Sequence, residues 1–424
     1  MTGTEVPMLP EIGRAKGGCR VCGHPLRYTL VDLGAVPLCE SWLTEEELHR
    51  EETFYPLHAF VCESCFLVQV EEYVSGEEIF GGEYAYFSSY STSWLEHCRR
   101  YSERIIERLG LDGDSFVVEL ASNDGYMLKN FVARAIPSLG IEPAANCAAA
   151  ATAHSVESLV QFFDSDTARQ VVESRGTADL IIANNVLAHV PALNDFVIGI
   201  KILLADDGVA TAEFSHVVRQ IEGNQFDAIC QEHYCYFSLY SVEKLFAAHE
   251  LEVFDVEEIP THGGSLRIYV RHAGSGDAAA SAALCDLRTR EAAGRIDDLS
   301  SYRAFAERVT DTKRRLLEFL IEAKRDGKSI VGYGAPGKGT TLLNYCGVRS
   351  DFVDYLVDRN PYKHGRYMPG VRLPIFAPEK IDETRPDYIL ILPWNLKDEI
   401  MAQLAHVREW GARFVIPIPS VEVV

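Results

Sequence analysis

At 424 residues the chain is too long for one ordinary domain, and its 47% hydrophobic and 24% charged residues suit a globular protein with several cores. A net charge of -22 repels nucleic-acid phosphates and anionic lipid surfaces, so neither is expected as a partner. No apolar run approaches the roughly 20 residues of a membrane span. The first residues lack a signal-peptide layout, so a cytoplasmic protein is expected.

Eleven cysteines, an odd count, argue for reduced thiols rather than a disulfide framework. Four of them form two pairs, Cys19-x-x-Cys22 and Cys62-x-x-Cys65, with 39 residues between the pairs. Each pair lets two thiolates converge on one ion, and together they complete a tetrahedral zinc site with bonds of about 2.3 Å. Four thiolates leave no position for water, so the metal is expected to be structural. Cys39 and His58 lie between the pairs without comparable spacing and are assigned to packing.

Tyr84, Tyr86, Ser88, Ser89 and Tyr90 follow, five hydroxyls in seven residues that line a polar pocket or pack a hinge. A charged-faced helix is predicted over 93–109. Strands are predicted over 116–121, 139–142, 179–184 and 208–214, with a helix after the first reaching to about 135. Short apolar runs alternating with helical patterns predict a doubly wound α/β sheet. The run Val118-Glu119-Leu120-Ala121-Ser122-Asn123-Asp124-Gly125 closes the first of these strands. Its glycine permits close backbone approach, and its polar side chains suit the amino-acid portion of S-adenosylmethionine (SAM). Glu142 ends the next strand, where a carboxylate can accept both ribose hydroxyls. Asn184 and Asn185 end the third. A different nucleoside on the same fold remains open at this point.

His233, in Cys230-Gln231-Glu232-His233, has the intrinsic pKa of a general base, and Glu232 can orient it. His189, His216 and His262 compete for that role. Beyond a small-residue linker at 274–281 a long helix is predicted over 300–325. Further strands are predicted over 355–357, 388–392 and 414–416. Gly332-Tyr333-Gly334-Ala335-Pro336-Gly337 then fits a dinucleotide fingerprint, with Asp354 and Asp358 beyond it. That loop suits any diphosphate, an NAD-dependent sugar oxidoreductase included, or binds nothing.

The order of motifs resembles the three-domain sugar C-methyltransferases of antibiotic deoxysugar pathways, among them the C-3 methyltransferases of branched dTDP-sugars such as tetronitrose. The resemblance rests on CxxC…CxxC, YAYFSSYS (84–91), ELASNDGYMLKNF (119–131), GIEP (140–143), ANNVLAHVPALNDF (183–196), QEHYCYFS (231–238), THGGSLR (261–267) and VGYGAPGKGTTLLN (331–344).

The resemblance implies an α/β protein with a zinc-binding domain (1–80), a class I SAM-methyltransferase sheet (81–275) and a C-terminal Rossmann-like domain (276–424). The last two would enclose a sugar nucleotide, dTDP-linked by expectation, and the chain would be a monomer or weak homo-oligomer. Zinc and SAM are the expected cofactors. Glu119, Ala121, Ser122, Asn123, Gly125, Tyr126, Glu142, Pro143, Asn184, Asn185 and Ser88 are expected at SAM. Tyr90, His189, Asn185, His262, Gly334, Gly337 and Lys338 are expected at substrate, with His233, Glu232, Cys230, Tyr84 and Tyr86 at the reaction centre. Where the family typically reads Tyr-His-Glu-His this chain has Cys230-Gln231-Glu232-His233, and Ser215 replaces a proline. A different acceptor or a repurposed, non-methylating chemistry therefore stands beside C-methylation.

Overall fold

The computed structural model describes residues 17–80, 84, 87–275 and 279–424, and three sheets organise them. Strands β1 (Tyr28–Val36), β2 (Tyr55–Val61) and β3 (Val68–Val70) pair antiparallel beside the cysteine knuckles. The central sheet takes β4 (Val117–Leu120), β5 (Ser138–Ile141), β6 (Ser158–Leu159), β7 (Ala178–Asn184) and β8 (Leu204–Ser215). The short β9 (Cys235–Tyr236) then leaves this sheet and joins the first one, pairing Val68 with Tyr236. Strands β10 (Leu251–Ile259) and β11 (Ser265–His272) return to the central sheet as an antiparallel edge.

The central order is β10-β11-β8-β7-β4-β5-β6, parallel from β8 to β6. Strand β4 is flanked by β5 and β7, so the direction of winding reverses there. Open α/β sheets bind ligands in the crevice that such a reversal leaves at the strands' carboxyl ends. The run Leu180–Ala183 of β7 is almost wholly buried, as a parallel strand covered on both faces requires.

The helix Thr92–Leu109 starts at Ser91, whose hydroxyl accepts from the Trp94 N–H, and stops at Gly110 in the left-handed region. The predicted helix running to 135 is shorter than expected, with regular α-helix only at Lys129–Val132.

The third sheet orders β14 (Ile375–Phe376), β13 (Leu356–Val357), β12 (Ile330–Tyr333), β15 (Tyr388–Ile391), β16 (Arg413–Ile416) and β17 (Glu422–Val423). The helix Arg303–Arg325 lays Phe305, Val309, Thr312, Leu316, Leu320 and Ala323 along one stripe. That stripe joins a continuous apolar core shared by the first and third sheets. Among the described residues no helix is long and apolar enough to cross a membrane.

Candidate active site

The four knuckle cysteines converge: one ligand atom from each lies within 4.8 Å of the others. Cys19 Sγ is 3.3 Å from Cys65 Sγ, and Cys22 Sγ is 3.5 Å from Cys62 Sγ. The Ser64 N–H and Gln69 Nε2 donate to Cys62 and Cys19, which stabilises thiolate charge. The donor set is that of a closed structural zinc centre. His58 packs, as assigned, stacked on Phe60 and bonded to Thr29.

A cavity of about 870 Å³ opens at the carboxyl ends of β4, β5, β7 and β8. The expected cofactor residues Ala121, Asn123, Tyr126, Glu142, Pro143, Asn184, Asn185 and Ser88 line it. Ala121, Asn123 and Asn185 adopt positive φ (56°, 49° and 52°), backbone strain of the kind concentrated at ligand sites. Glu142 Oε2 accepts from the Asn123 N–H and Oε1 from Ala144, both at 2.8 Å. Each oxygen keeps acceptor capacity for a ribose hydroxyl.

Asn184 is 4% exposed, and neither its Oδ1 nor its Nδ2 has a hydrogen-bond partner within the described chain. A buried orphan amide facing a cavity fits a polar ligand group there. Three expected cofactor residues lie beneath the cavity instead of along it. Glu119 is shut in, and burial pushes its carboxyl well above the usual range. Ser122 is buried against Gly140, and Gly125 (φ 76°) presses on Val156.

Opposite these residues, the segment from Phe226 to His233 forms the other wall. Cys230, Glu232, His233, Asp227, His189, His262 and Tyr84 all face the cavity. Tyr86 lies outside the described residues. His189 and His233 meet edge to face, 4.6 Å between centroids. Burial pushes His189 down to about 3 and His262 to about 4, the latter helped by Lys338. His216 is elsewhere, in a buried 2.8 Å pair with Glu291.

Cys39 requires a correction. Assigned to packing, it lines the cavity, and its thiol donates to Glu232 Oε1 at 3.3 Å. No spacing rule could have found it, because the loop after β1 brings it 193 positions along the chain. Its neighbour Glu40, also unforeseen, lines the cavity beside Gly337, where an added Cβ would stand 2.9 Å from its Oε1. Asp358 Oδ2 accepts from Ala335 N at 2.7 Å. One donor of the glycine turn is thus taken by the chain's own Asp358, and a second carboxylate, Glu40, stands against Gly337, which disfavours a dinucleotide's phosphates there and with them the oxidoreductase reading.

Gly337 and Lys338 reach the cavity, but Gly334 does not. A Cβ at Gly334 would stand 2.5 Å from Pro393, so its role is tight packing at φ 83°. Tyr90 is also corrected: it is 71% exposed and outside the cavity. Lys338 sits 4.7 Å over the Trp394 ring, whose Nε1 donates to Asp227 at 2.7 Å.

A zinc knuckle joined to a cofactor cavity at the switch point of an α/β sheet defines a zinc-containing methyltransferase. Family models agree: a zinc binding domain over 19–80, a methyltransferase domain over 94–256 and a C-methyltransferase C-terminal domain over 260–419. The chain is 34% identical to the C-methyltransferase NovU of Streptomyces niveus over 98% of its own length and 99% of that protein's. It belongs to this C-methyltransferase family and uses SAM as its methyl donor.

Solved structures overlap only in part. A SAM-dependent methyltransferase from Anabaena variabilis shares 15% identity over 42% of this chain and 86% of its own, at TM-score 0.34. The 1,6-didemethyltoxoflavin-N1-methyltransferase of Burkholderia thailandensis shares 17% over 49% and 95%, also at 0.34. Neither adds to the family assignment.

Proposed function

We propose that this enzyme methylates a carbon next to the carbonyl of a nucleotide-linked 4-keto-deoxysugar, dTDP-linked, in a cytoplasmic antibiotic deoxysugar pathway. One observation carries the reading: a buried group of proton-handling side chains, Cys230, Glu232 and His233, opens on the same cavity as the cofactor residues. Transfer to oxygen or nitrogen can use an existing lone pair, whereas carbon must first lose a proton, and that demands a base beside the methyl donor. SAM supplies an electrophilic methyl group on a sulfonium.

The chain's own residues do the rest. Glu142 and Asn184 hold the cofactor's hydroxyl and polar groups. The apolar walls from Phe80, Phe162 and Trp94 exclude water. The trio takes the proton, and Lys338 at the cavity's edge meets the anionic nucleotide. The sugar nucleotide itself rests on the motif order, which resembles enzymes of deoxysugar pathways.

The test is mass spectrometry of reactions containing SAM and a panel of dTDP-4-keto-deoxysugars, wild type beside His233→Ala. The expected result is one methyl gained on a sugar and lost in the variant. Methylation of none of the sugars by a SAM-binding enzyme would refute the acceptor class and favour the repurposed chemistry.

A further inference from the structure

The cavity wall also holds a carboxylate with half its bonding unmet. Asp227 sits in the short turn Phe226–Ala228. Phe226 is fully buried and meets Tyr345 edge to face, 5.5 Å between centroids. Just past the turn, the Ile229 carbonyl accepts from the Thr341 hydroxyl at 2.8 Å. Tyr345 and Thr341 both belong to the helix Gly337–Cys346, so one helix holds both ends of the turn. Asp227 is 0% exposed and yet lines the cavity. Its Oδ2 accepts from Trp394 Nε1 at 2.7 Å, while its Oδ1 has no hydrogen-bond partner within the described chain.

A buried carboxylate oxygen left bare is destabilising, so Oδ1 calls for a donor from the cavity. Burial raises the carboxyl to about 6, with Lys338 resisting the rise, and at neutral pH the group is an anion that can only accept.

Lys338 belongs to the first turn of the same helix and lies over the same indole, 4.7 Å from the Trp394 ring centroid. Its Nζ donates to Asn395 Oδ1 at 2.9 Å, which leaves two N–H donors for an anionic group in the cavity. A cation beside Asp227 repels a second one. The donor that completes Oδ1 is therefore a neutral hydroxyl.

The layout of a sugar nucleotide says which hydroxyl this is. The diphosphate hangs from C1, and only two ring atoms adjoin that carbon. One is the ring oxygen, which has no proton to give. The other is C2, whose hydroxyl is a donor. With the diphosphate at Lys338, the donor that comes to Asp227 is the one on C2.

We propose that Asp227 Oδ1 accepts the C2 hydroxyl of the sugar, so that the enzyme takes a sugar still carrying that hydroxyl and rejects a 2-deoxysugar. This rests on the sugar-nucleotide reading of the site. Asp227 touches no reacting atom; it fixes the rotation of the ring about its diphosphate anchor and so the edge presented to His233. A site built around a substrate hydroxyl discriminates strongly, because the analogue lacking it leaves the buried acceptor unpaired. Any reaction that removes the C2 hydroxyl must then act after this enzyme.

Calorimetric titration of the full-length, zinc-loaded protein with S-adenosylhomocysteine bound tests this. The probes are dTDP-4-keto-6-deoxyglucose and its 2-deoxy counterpart, dTDP-4-keto-2,6-dideoxyglucose. Wild type is expected to bind the 2-deoxy sugar about a hundredfold more weakly, the loss of one hydrogen bond to a buried charge. In Asp227→Asn the donor-only indole keeps the amide oxygen, and the amide nitrogen turns to the cavity. The hydroxyl can accept from that nitrogen, so the preference should shrink to about tenfold. In Asp227→Ala it should fall to about twofold or less. The preference compares two ligands on one protein, so a variant that is merely less stable does not imitate its loss.

Equal binding of the two sugars by wild type overturns the proposal, as does a preference that survives unchanged in Asp227→Ala. Tighter binding of the 2-amino-2-deoxy counterpart than of the 2-hydroxy sugar overturns the hydroxyl assignment. Wild type that binds none of these sugars refutes the acceptor class, and the role of Asp227 with it, an outcome distinct from equal binding.

Discussion

The thiol of Cys39 reaches 3.3 Å to the carboxylate of Glu232 and donates to it, so the zinc-bearing module is a wall of the reaction chamber. Gln231 Nε2 donates to the carbonyls of Val36 at 2.9 Å and Tyr55 at 3.3 Å. Tyr234 donates to the Val74 carbonyl at 2.8 Å, and β9 completes the module's sheet. Every residue from Gln231 to Tyr236 with such a contact is therefore braced from the N-terminal side.

Zinc removal is expected to abolish methyl transfer although no knuckle cysteine touches the cavity. Chelation under reducing conditions should release about one zinc per chain, the number a single four-cysteine site holds, and activity should fall in step. Metal analysis alongside a methyl-transfer assay checks this, with Cys62→Ser as the genetic equivalent. Full activity in the zinc-free protein would show that the brace is dispensable.

Asn184→Ala should weaken SAM binding by about tenfold, as expected from losing one or two net hydrogen bonds. The unliganded protein should keep its melting temperature, because the amide it loses is unpaired in the folded chain. Calorimetric titration and thermal melts separate the two effects. Glu142→Gln should weaken SAM binding as well.

Arg267 and Glu213 form an ion pair at 2.5 Å with both side chains 0% exposed, and His97 joins Glu213 at 2.9 Å. Arg267→Ala leaves a buried carboxylate short of its main partner, and should destabilise the protein by about 3–5 kcal/mol. Urea denaturation measures it. Replacing both partners with apolar residues should recover much of the loss.

Glu232 gives a pH dependence of defined sign. Burial first, then the charges of Cys230 and Glu40, raise its carboxyl from 4.5 to about 8. A carboxyl that binds its proton more tightly when folded takes stability away as pH climbs between those values. Glu232→Gln should therefore melt progressively higher than wild type as pH rises from about 5 to about 8. Equal shifts at both ends of that range would contradict the assignment.

Much of this was legible in the sequence. The CxxC spacing gave the metal ligands, because a knuckle fixes two thiols locally. The apolar runs at 116–121 and 179–184 placed the strands, observed at Val117–Leu120 and Ala178–Asn184, whose ends hold Asn123 and Asn184. Long-range placement was not legible. Cys39 meets Glu232 only because β9 crosses to another sheet, and a two-residue strand has no periodicity to read. The glycine turn at 332–337 reads as a phosphate cradle because sequence shows the donors but not Glu40, which the loop after β1 brings against Gly337.

The most direct test of the central claim uses SAM carrying a ¹³C methyl group and dTDP-4-keto-6-deoxyglucose, followed by carbon–proton correlation NMR. The account predicts a labelled methyl bonded to ring carbon, with the neighbouring C–H signal gone. A labelled methyl bonded to oxygen would contradict it, since no proton need then leave carbon and the buried trio around Cys230 would have no task.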